Sequence, residues 1–431
     1  MEMNEVGADN KTSDVFGVSR ELPLTYVERK TVDSKFIENL TLDKHVIVYG
    51  SSKQGKTCLR KHCLAENDYI LVQCQNAWGL ERLAEAILKE VGYKIEVSEE
   101  KTVEHRSKLR ASFSAKLAAL GFVDASVNAS TEASQSDAKI IRPIEIDPGD
   151  PNDLVACLKQ INFQKFIVLE DFHYLPQETQ EQYSFFLKTI HERSKICFII
   201  VAVWREENRL ILFNGDLAGR VVSVDADAWT SEELFEVIEA GEFLLNVYFP
   251  TGFRERLASR SLGSVYIVQE VCRRVCEDNG IVSTQKDNTA LELKKNVEGY
   301  IAEVVAESGP RYSAFLSSFA GGFQGTTLEM YKWILYPVLT STIESLESGI
   351  KYRFIRETLE KVHPRGEELN PGNVTQALLS VPALQSKKNI KPFVLDYDQT
   401  EKSLSVVDRG FLIWLSTQNV DLLLEDLDMD R

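Results

Sequence analysis

The sequence has no apolar run long enough to cross a bilayer. Its longest, Ile196–Trp204, is about half of the roughly 20 residues that a spanning helix needs. The first twenty residues are polar and acidic with no apolar centre, which argues against a secretory signal. The seven cysteines are scattered without paired spacing, so structural disulfides are not expected and a reducing cytoplasm is the natural compartment. There is no internal repeat and no low-complexity segment. An excess of basic residues is missing as well: Lys and Arg number 49 against 65 Asp and Glu, a net charge of −16. This argues against a general nucleic-acid coat, because non-specific binding comes from neutralising phosphates with Lys and Arg. One small basic DNA-binding surface remains compatible with it. What is present, 44% hydrophobic and 26% charged residues, is ordinary for a globular protein. At 431 residues the chain is expected to form about two to four domains.

Residues 1–25 read as a flexible tail and 26–225 as an α/β core. Val46–Tyr49, Tyr69–Gln75, Phe166–Leu169 and Ile196–Val203 are short apolar runs suited to parallel strands covered on both faces, with helical spacing between them. Residues 98–150 interrupt this rhythm and read as an insertion, a partner-binding module or a plain long loop. Residues 226–302 are helical in pattern and suggest a lid. Residues 303–431 read as a helical linker and a winged helix: one helix around Phe354–Leu359, a second after Pro371, then strands Phe393–Tyr397 and Ser403–Val407.

The chemistry is concentrated in Gly50-Ser51-Ser52-Lys53-Gln54-Gly55-Lys56-Thr57, which fits G-x-x-x-x-G-K-[ST] between a strand and a helix. The two glycines let the backbone turn its N–H groups onto phosphate oxygens, and the following helix adds its positive end. Lys56 is expected on the β- and γ-phosphates of ATP, Thr57 on Mg²⁺, and Cys58 beside them. Strand Phe166–Leu169 delivers Glu170 and Asp171. Glu170 is the candidate for the hydrated Mg²⁺ and Asp171 for the attacking water. A solvated acidic turn is the alternative. Cys58, His62 and Cys63 share one helix and read as packing rather than as a metal site.

With these motifs the chain resembles the AAA+ and STAND group of P-loop ATPases, in the branch with origin-recognition-type architecture, over most of residues 24–417. Tyr26-Val27-Glu28-Arg29 is similar to the family's hhGRE segment, with Glu where Gly is usual, which implies that Tyr26, Val27 and Arg29 cover the adenine. Asp216-Leu-Ala-Gly-Arg220-Val is similar to the segment that often holds an arginine finger, which implies Arg220 acting on a neighbouring subunit's γ-phosphate; a surface ion pair is the alternative. After Ile196–Val203 the family's polar sensor is replaced by Trp204 and Arg205. Ser261–Tyr266 lacks the arginine of the sensor helix, with Arg260 and Arg273 nearby. The order Glu170 then Asp171, where many such ATPases have Asp then Glu, leaves Asp171 a shorter reach and suggests slow or partner-dependent hydrolysis. The two sensor departures suggest a nucleotide-controlled switch more than a fast motor, acting through homo-oligomerisation or an effector protein. The STAND resemblance implies a role in bacterial stress or phage defence. The alternatives are a DNA-binding ATPase of the initiator or transposition-regulator kind, using Lys387, Lys388, Lys391 and Lys402, and a scaffold that hydrolyses almost nothing. Asp396, Asp398, Glu401 and Asp408 interleave with those lysines and leave little net field, which disfavours DNA. No membrane partner is expected.

Overall fold

The computed structural model describes residues 9–17, 21–92, 147–227 and 229–429. Five strands form a parallel sheet: β1 (His45–Tyr49), β2 (Tyr69–Gln73), β3 (Phe166–Glu170), β4 (Phe198–Val201) and β5 (Val221–Asp225), in the order β2-β3-β4-β1-β5. β1 is therefore flanked on both sides, and all five of its residues are buried. Successive residues alternate between faces. Ile47 and Tyr49 pack with helices Leu80–Glu90, Pro151–Gln160 and Gln177–Arg193, while Val46 and Val48 pack with Val32, Phe36 and Leu59 on the other side. Parallel pairing sets Tyr49 opposite Asp225 and Gln73 opposite Glu170, so the strands end together along one edge.

Helix starts follow local chemistry. Asp150 caps Pro151–Gln160 by accepting from the Asn152 amide at 2.8 Å, with proline in the first turn. Thr230 and Glu233 form a capping box at the head of Ser231–Leu245. Residues 98–146 of the expected insertion lie outside the described residues.

The α/β class with a parallel core followed by helices is what the structure shows. Helices Ser231–Leu245, Phe253–Arg260 and Val265–Asp278 follow the sheet. Two two-residue strands, β6 (Val247–Tyr248) and β7 (Thr289–Ala290), pair within this region, which the sequence pattern gives as purely helical. Further on, Tyr352–Val362, Pro371–Leu379 and Val381–Lys387 are three helices where two are expected, because Val381-Pro382 starts a new one. Antiparallel β9 (Leu395–Asp398) and β10 (Ser403–Val406) follow, with β8 (Ile350–Lys351) on the outer side of β10. One apolar cluster joins residues from Leu234 to Met429 with Val15, Phe16 and Val27, while Phe393 and Val407 pack instead with Val203 beyond β4.

The flexible-tail expectation fails for residues 11–17. Thr12–Val15 form a helical turn, Val15 and Phe16 are fully buried, and the Thr12 hydroxyl donates to the Ile281 carbonyl at 2.9 Å. The reason is the apolar Val15-Phe16 pair, which sits where helix Ser231–Leu245 carries Gly241; a Cβ there would meet the Phe16 ring at 2.0 Å.

Candidate functional site

The loop after β1 combines Gly50 at φ 137° and Gly55 at φ 80° with helix Lys56–Cys63. Gly55 is the residue before the helix, and its left-handed backbone makes the abrupt turn possible. Lys56 folds back over the loop and donates to the Gly50 carbonyl at 2.9 Å and to the Ser51 carbonyl. Burial pushes its ammonium down to about 8, against the pull of Asp227, Asp171 and Glu170.

Thr57 is exposed to the cavity beside the loop, and its hydroxyl donates to Glu170 Oε1 at 2.6 Å. The other Glu170 oxygen accepts from Arg60 Nε at 3.2 Å. Asp171 has a left-handed backbone, φ 55°, and accepts from the Gln73 amide. Burial and then Glu170 raise its carboxyl, while Lys56 and the Gln73 hydrogen bond oppose this. The cavity has a volume of about 470 Å³ and is lined by Ser52 through Cys58, Glu170 and Asp171. Among the described residues no cluster of three or more His, Cys, Asp or Glu could hold a metal by itself. A threonine hydroxyl and a single carboxylate instead fit Mg²⁺ carried on phosphates, the usual way this ion is held in nucleotide sites. The Gln54 amide is buried with both ends unpartnered, a further polar group available at the loop.

Not every expected residue faces this cavity. Ser51 turns away: its N–H and hydroxyl donate to Asp227 at 2.8 and 2.7 Å. Tyr26, Val27 and Arg29, expected over the adenine, are directed elsewhere. Tyr26 stacks on His62 at 4.4 Å and donates to Asp33, and Val27 is buried with the later helices. Arg29 is buried against Trp229, 4.3 Å from the ring centre, and donates to the Ala226 carbonyl at 2.8 Å. The cavity wall beside the loop is formed by Gly17, Glu21 and Pro23 together with Tyr266 and Gln269. Gln269 ties this wall together, accepting from Gly17 N–H at 2.9 Å and donating to the Thr25 hydroxyl at 3.1 Å.

Arg220 lies at the opposite end of the sheet. Its carbonyl accepts from His45 N–H at the start of β1, and its guanidinium donates to Glu192 at 2.9 Å. It is not brought to its own chain's loop.

Sequence reasoning also missed Asp227. Burial raises this carboxyl, but Arg409, Arg205, the Ser51 hydroxyl and Lys56 together outweigh burial and hold it below the usual range. The available signal was its position two residues beyond β5, on the edge where the strands end. Arg205, which follows Trp204 after β4, donates to Asp227 at 2.7 Å.

The C-terminal elements close over this edge. The Ser52 N–H, a loop amide, donates to the Val407 carbonyl at 3.1 Å. Asp396 accepts from the Arg205 N–H at 2.9 Å and from the Arg209 guanidinium at 2.6 Å. Phe393 packs edge-on against His173, which is buried and held neutral. Arg409, two residues after Val407, donates to the Leu262 carbonyl and to Glu347.

No family model and no curated protein matches the sequence. The structure is similar to that of a Walker-type ATPase of Pyrococcus abyssi at 13% identity and TM-score 0.44, covering 91% of this chain and 99% of that one. It is similar to the ORC1 protein of Aeropyrum pernix, solved in complex with DNA, at 11% identity and TM-score 0.44, covering 98% of each. It is also similar to the RuvB Holliday junction branch migration motor of Thermotoga maritima at 13% identity and TM-score 0.34, covering 93% of this chain and 94% of that one. Among the described residues no helix is long and apolar enough to cross a membrane.

Proposed function

We propose that the chain is an ATP-binding and ATP-hydrolysing switch in which nucleotide at Gly50–Thr57 competes with the docked C-terminal hairpin. Gly50, Ser52, Lys53, Gln54, Gly55 and Cys58 surround the phosphates, with Ser51 anchoring the loop through Asp227. Lys56 neutralises the β- and γ-phosphates, Thr57 and Glu170 hold Mg²⁺, and Asp171 orients the attacking water. The observation that carries the switch is the Ser52–Val407 hydrogen bond: a phosphate-loop amide is committed to a carbonyl of the C-terminal region. A bound phosphate chain and that carbonyl ask for the same donor, so binding biases the position of the hairpin.

The DNA-binding reading has less support. Ser386, in the short helix before the hairpin, accepts from Asn76 through its carbonyl and donates through its hydroxyl to the Tyr174 carbonyl. That helix is turned toward the core. A gel-shift series over salt concentration tests this alternative directly.

The switch is tested by amide hydrogen exchange of the full chain with and without Mg-ATP. ATP is expected to raise exchange across 395–409. Nucleotide binding with unchanged protection there would remove the switch and leave only an ATPase site. Absence of any nucleotide binding would remove the site reading itself.

A further inference from the structure

Lys53 is the loop residue whose conformation has no explanation so far. It adopts φ 60°, a left-handed backbone that costs a side-chain-bearing residue other than Asn or Asp, and glycine would relieve it. Its side chain reaches across to helix Val265–Asp278, where the Nζ lies 3.7 Å from the centre of the Tyr266 ring. The ammonium thus rests on an aromatic face and not on a carboxylate. Lys53 and Tyr266 both line the cavity that holds Lys56, Thr57 and Glu170. Lys53 is exposed to that cavity, yet burial pushes its ammonium below the ordinary lysine value, with Asp408 opposing and Arg311 reinforcing this.

A cation held on an aromatic ring is held weakly where water reaches it, by far less than a charge-assisted hydrogen bond to phosphate. It is therefore available to a stronger anion in the same cavity. Tyr266 is also the last residue of the Ser261–Tyr266 segment, and it belongs to the helix whose Gln269 fixes the Gly17 wall. Releasing the ring changes what holds that helix to the loop.

Building on the nucleotide-site reading above, we propose that Lys53 is a movable second cation for the phosphate chain. It is parked on Tyr266 and transferred to a triphosphate, so that the helical region reads the number of phosphates bound. Lys56 supplies the fixed charge, which both diphosphate and triphosphate use. Lys53 supplies the discriminating one.

The test is a set of dissociation constants for ATP and ADP measured on the full chain. Lys53→Met keeps the length and removes the charge; it should weaken ATP about tenfold, the worth of one charge-assisted hydrogen bond, and ADP clearly less. Tyr266→Leu frees the lysine and should tighten ATP roughly threefold, the worth of an exposed cation–π contact, whereas Tyr266→Phe keeps the ring and should match the wild type. In the Lys53→Met background Tyr266→Leu should then change nothing. Equal losses for ATP and ADP in Lys53→Met, or an effect of Tyr266→Leu that persists without Lys53, would overturn the proposal. Wild-type ATP affinity in Lys53→Met, with binding still lost in Lys56→Ala, would sink the parked cation alone. Retained binding in Lys56→Ala would sink the phosphate-site reading on which it rests.

Discussion

The two ends of the parallel sheet treat charge in opposite ways. Where the strands end, Lys56, Glu170, Asp227, Arg209 and Asp396 are all buried, and each is tied to a hydroxyl, carbonyl, amide or ion-pair partner. Where the strands begin, Arg220 pairs with Glu192 and Lys188 with Asp216 at 2.7 Å, on side chains about a third to three-fifths exposed. Burying ions costs several kcal/mol each before pairing returns part of it, and well-packed apolar residues often do as well or better. A chain selected for stability alone would have little reason to collect charges at one end. Their concentration there supports the nucleotide-site proposal, and the exposed pairs form a surface that needs only to stay solvated.

The largest expected contrast comes from Lys56. Lys56→Ala removes the one cation folded over the loop and should lower ATP affinity by about 100-fold or more, the order expected when a buried charged contact to phosphate is lost. Its far-ultraviolet circular dichroism should stay that of the wild type. A titration showing wild-type affinity in the folded variant would leave the buried charges of that end unexplained.

Next comes the seam with the C-terminal hairpin. Asp396→Ala leaves Arg209 with Glu206 as its ion-pair partner and the Tyr397 carbonyl as an acceptor, and the Arg205 N–H without its acceptor. Breaking a buried pair by removing one partner should cost about 3 kcal/mol. Glu192→Ala, the matching deletion at the other end, should cost less than about 0.5 kcal/mol. Denaturant midpoints that fall equally in the two variants would erase the distinction between the ends.

A smaller effect follows from pH. Burial sets the Lys56 ammonium at about 8, below the ordinary lysine value of about 10.5. The unfolded chain therefore holds this proton more tightly, and the stability contribution of the group rises as pH climbs from about 8 toward 10.5. Phosphate affinity should move the other way, falling up to about tenfold per pH unit over the same range as the ammonium is lost. Calorimetry in buffers of different ionisation enthalpy should show proton uptake on ATP binding near pH 9. Affinity that does not change between pH 8 and 10 would place the Lys56 proton outside the binding equilibrium.

The sequence made one of these two ends readable and hid what covers it. Gly50–Thr57 is contiguous, and its strand and helix are its neighbours in the chain, so spacing alone finds it. The acidic pair was readable for the same reason, as the last residues of an apolar run. Asp227 meets Ser51 across 176 residues, and Val407 meets Ser52 across more than 350, distances at which periodicity carries no information. The side-chain placement of Tyr26–Arg29 was not legible, because a motif resemblance names residues without saying where their side chains go. Here Asp33, His62 and Trp229 claim them. The tail was misread because two apolar residues in a polar stretch are a weak signal, until Gly241 is seen to leave room for the Phe16 ring.

The smallest expected effect sharpens the comparison most, because it asks whether the solvated end has a role of its own. Arg220 follows a turn in which the Asn214 side chain accepts from the Asp216 N–H at 3.1 Å, and its carbonyl then opens the pairing of β5 with β1. The loop lies at the far end of that strand, so Arg220 has no route to a nucleotide on its own chain. Its side chain is about a third exposed and held by a surface ion pair and a hydrogen bond to the Asp216 carbonyl, so Arg220→Ala should cost less than about 0.5 kcal/mol and leave ATP affinity unchanged. A neighbouring protomer could nevertheless receive it, and a guanidinium on the leaving phosphoryl group can raise the rate by about 10³-fold. Wild-type ATPase rate per protomer should then rise with protein concentration, and Arg220→Ala should abolish the rise. Mixing gives the sharper test. An Arg220→Ala chain still offers a complete loop and a Lys56→Ala chain still offers Arg220, so two inactive variants should recover activity together. A silent mixture of chains that demonstrably co-assemble would leave Arg220 as a surface ion pair, and the strand-start end of the sheet as solvated structure with no part in the chemistry.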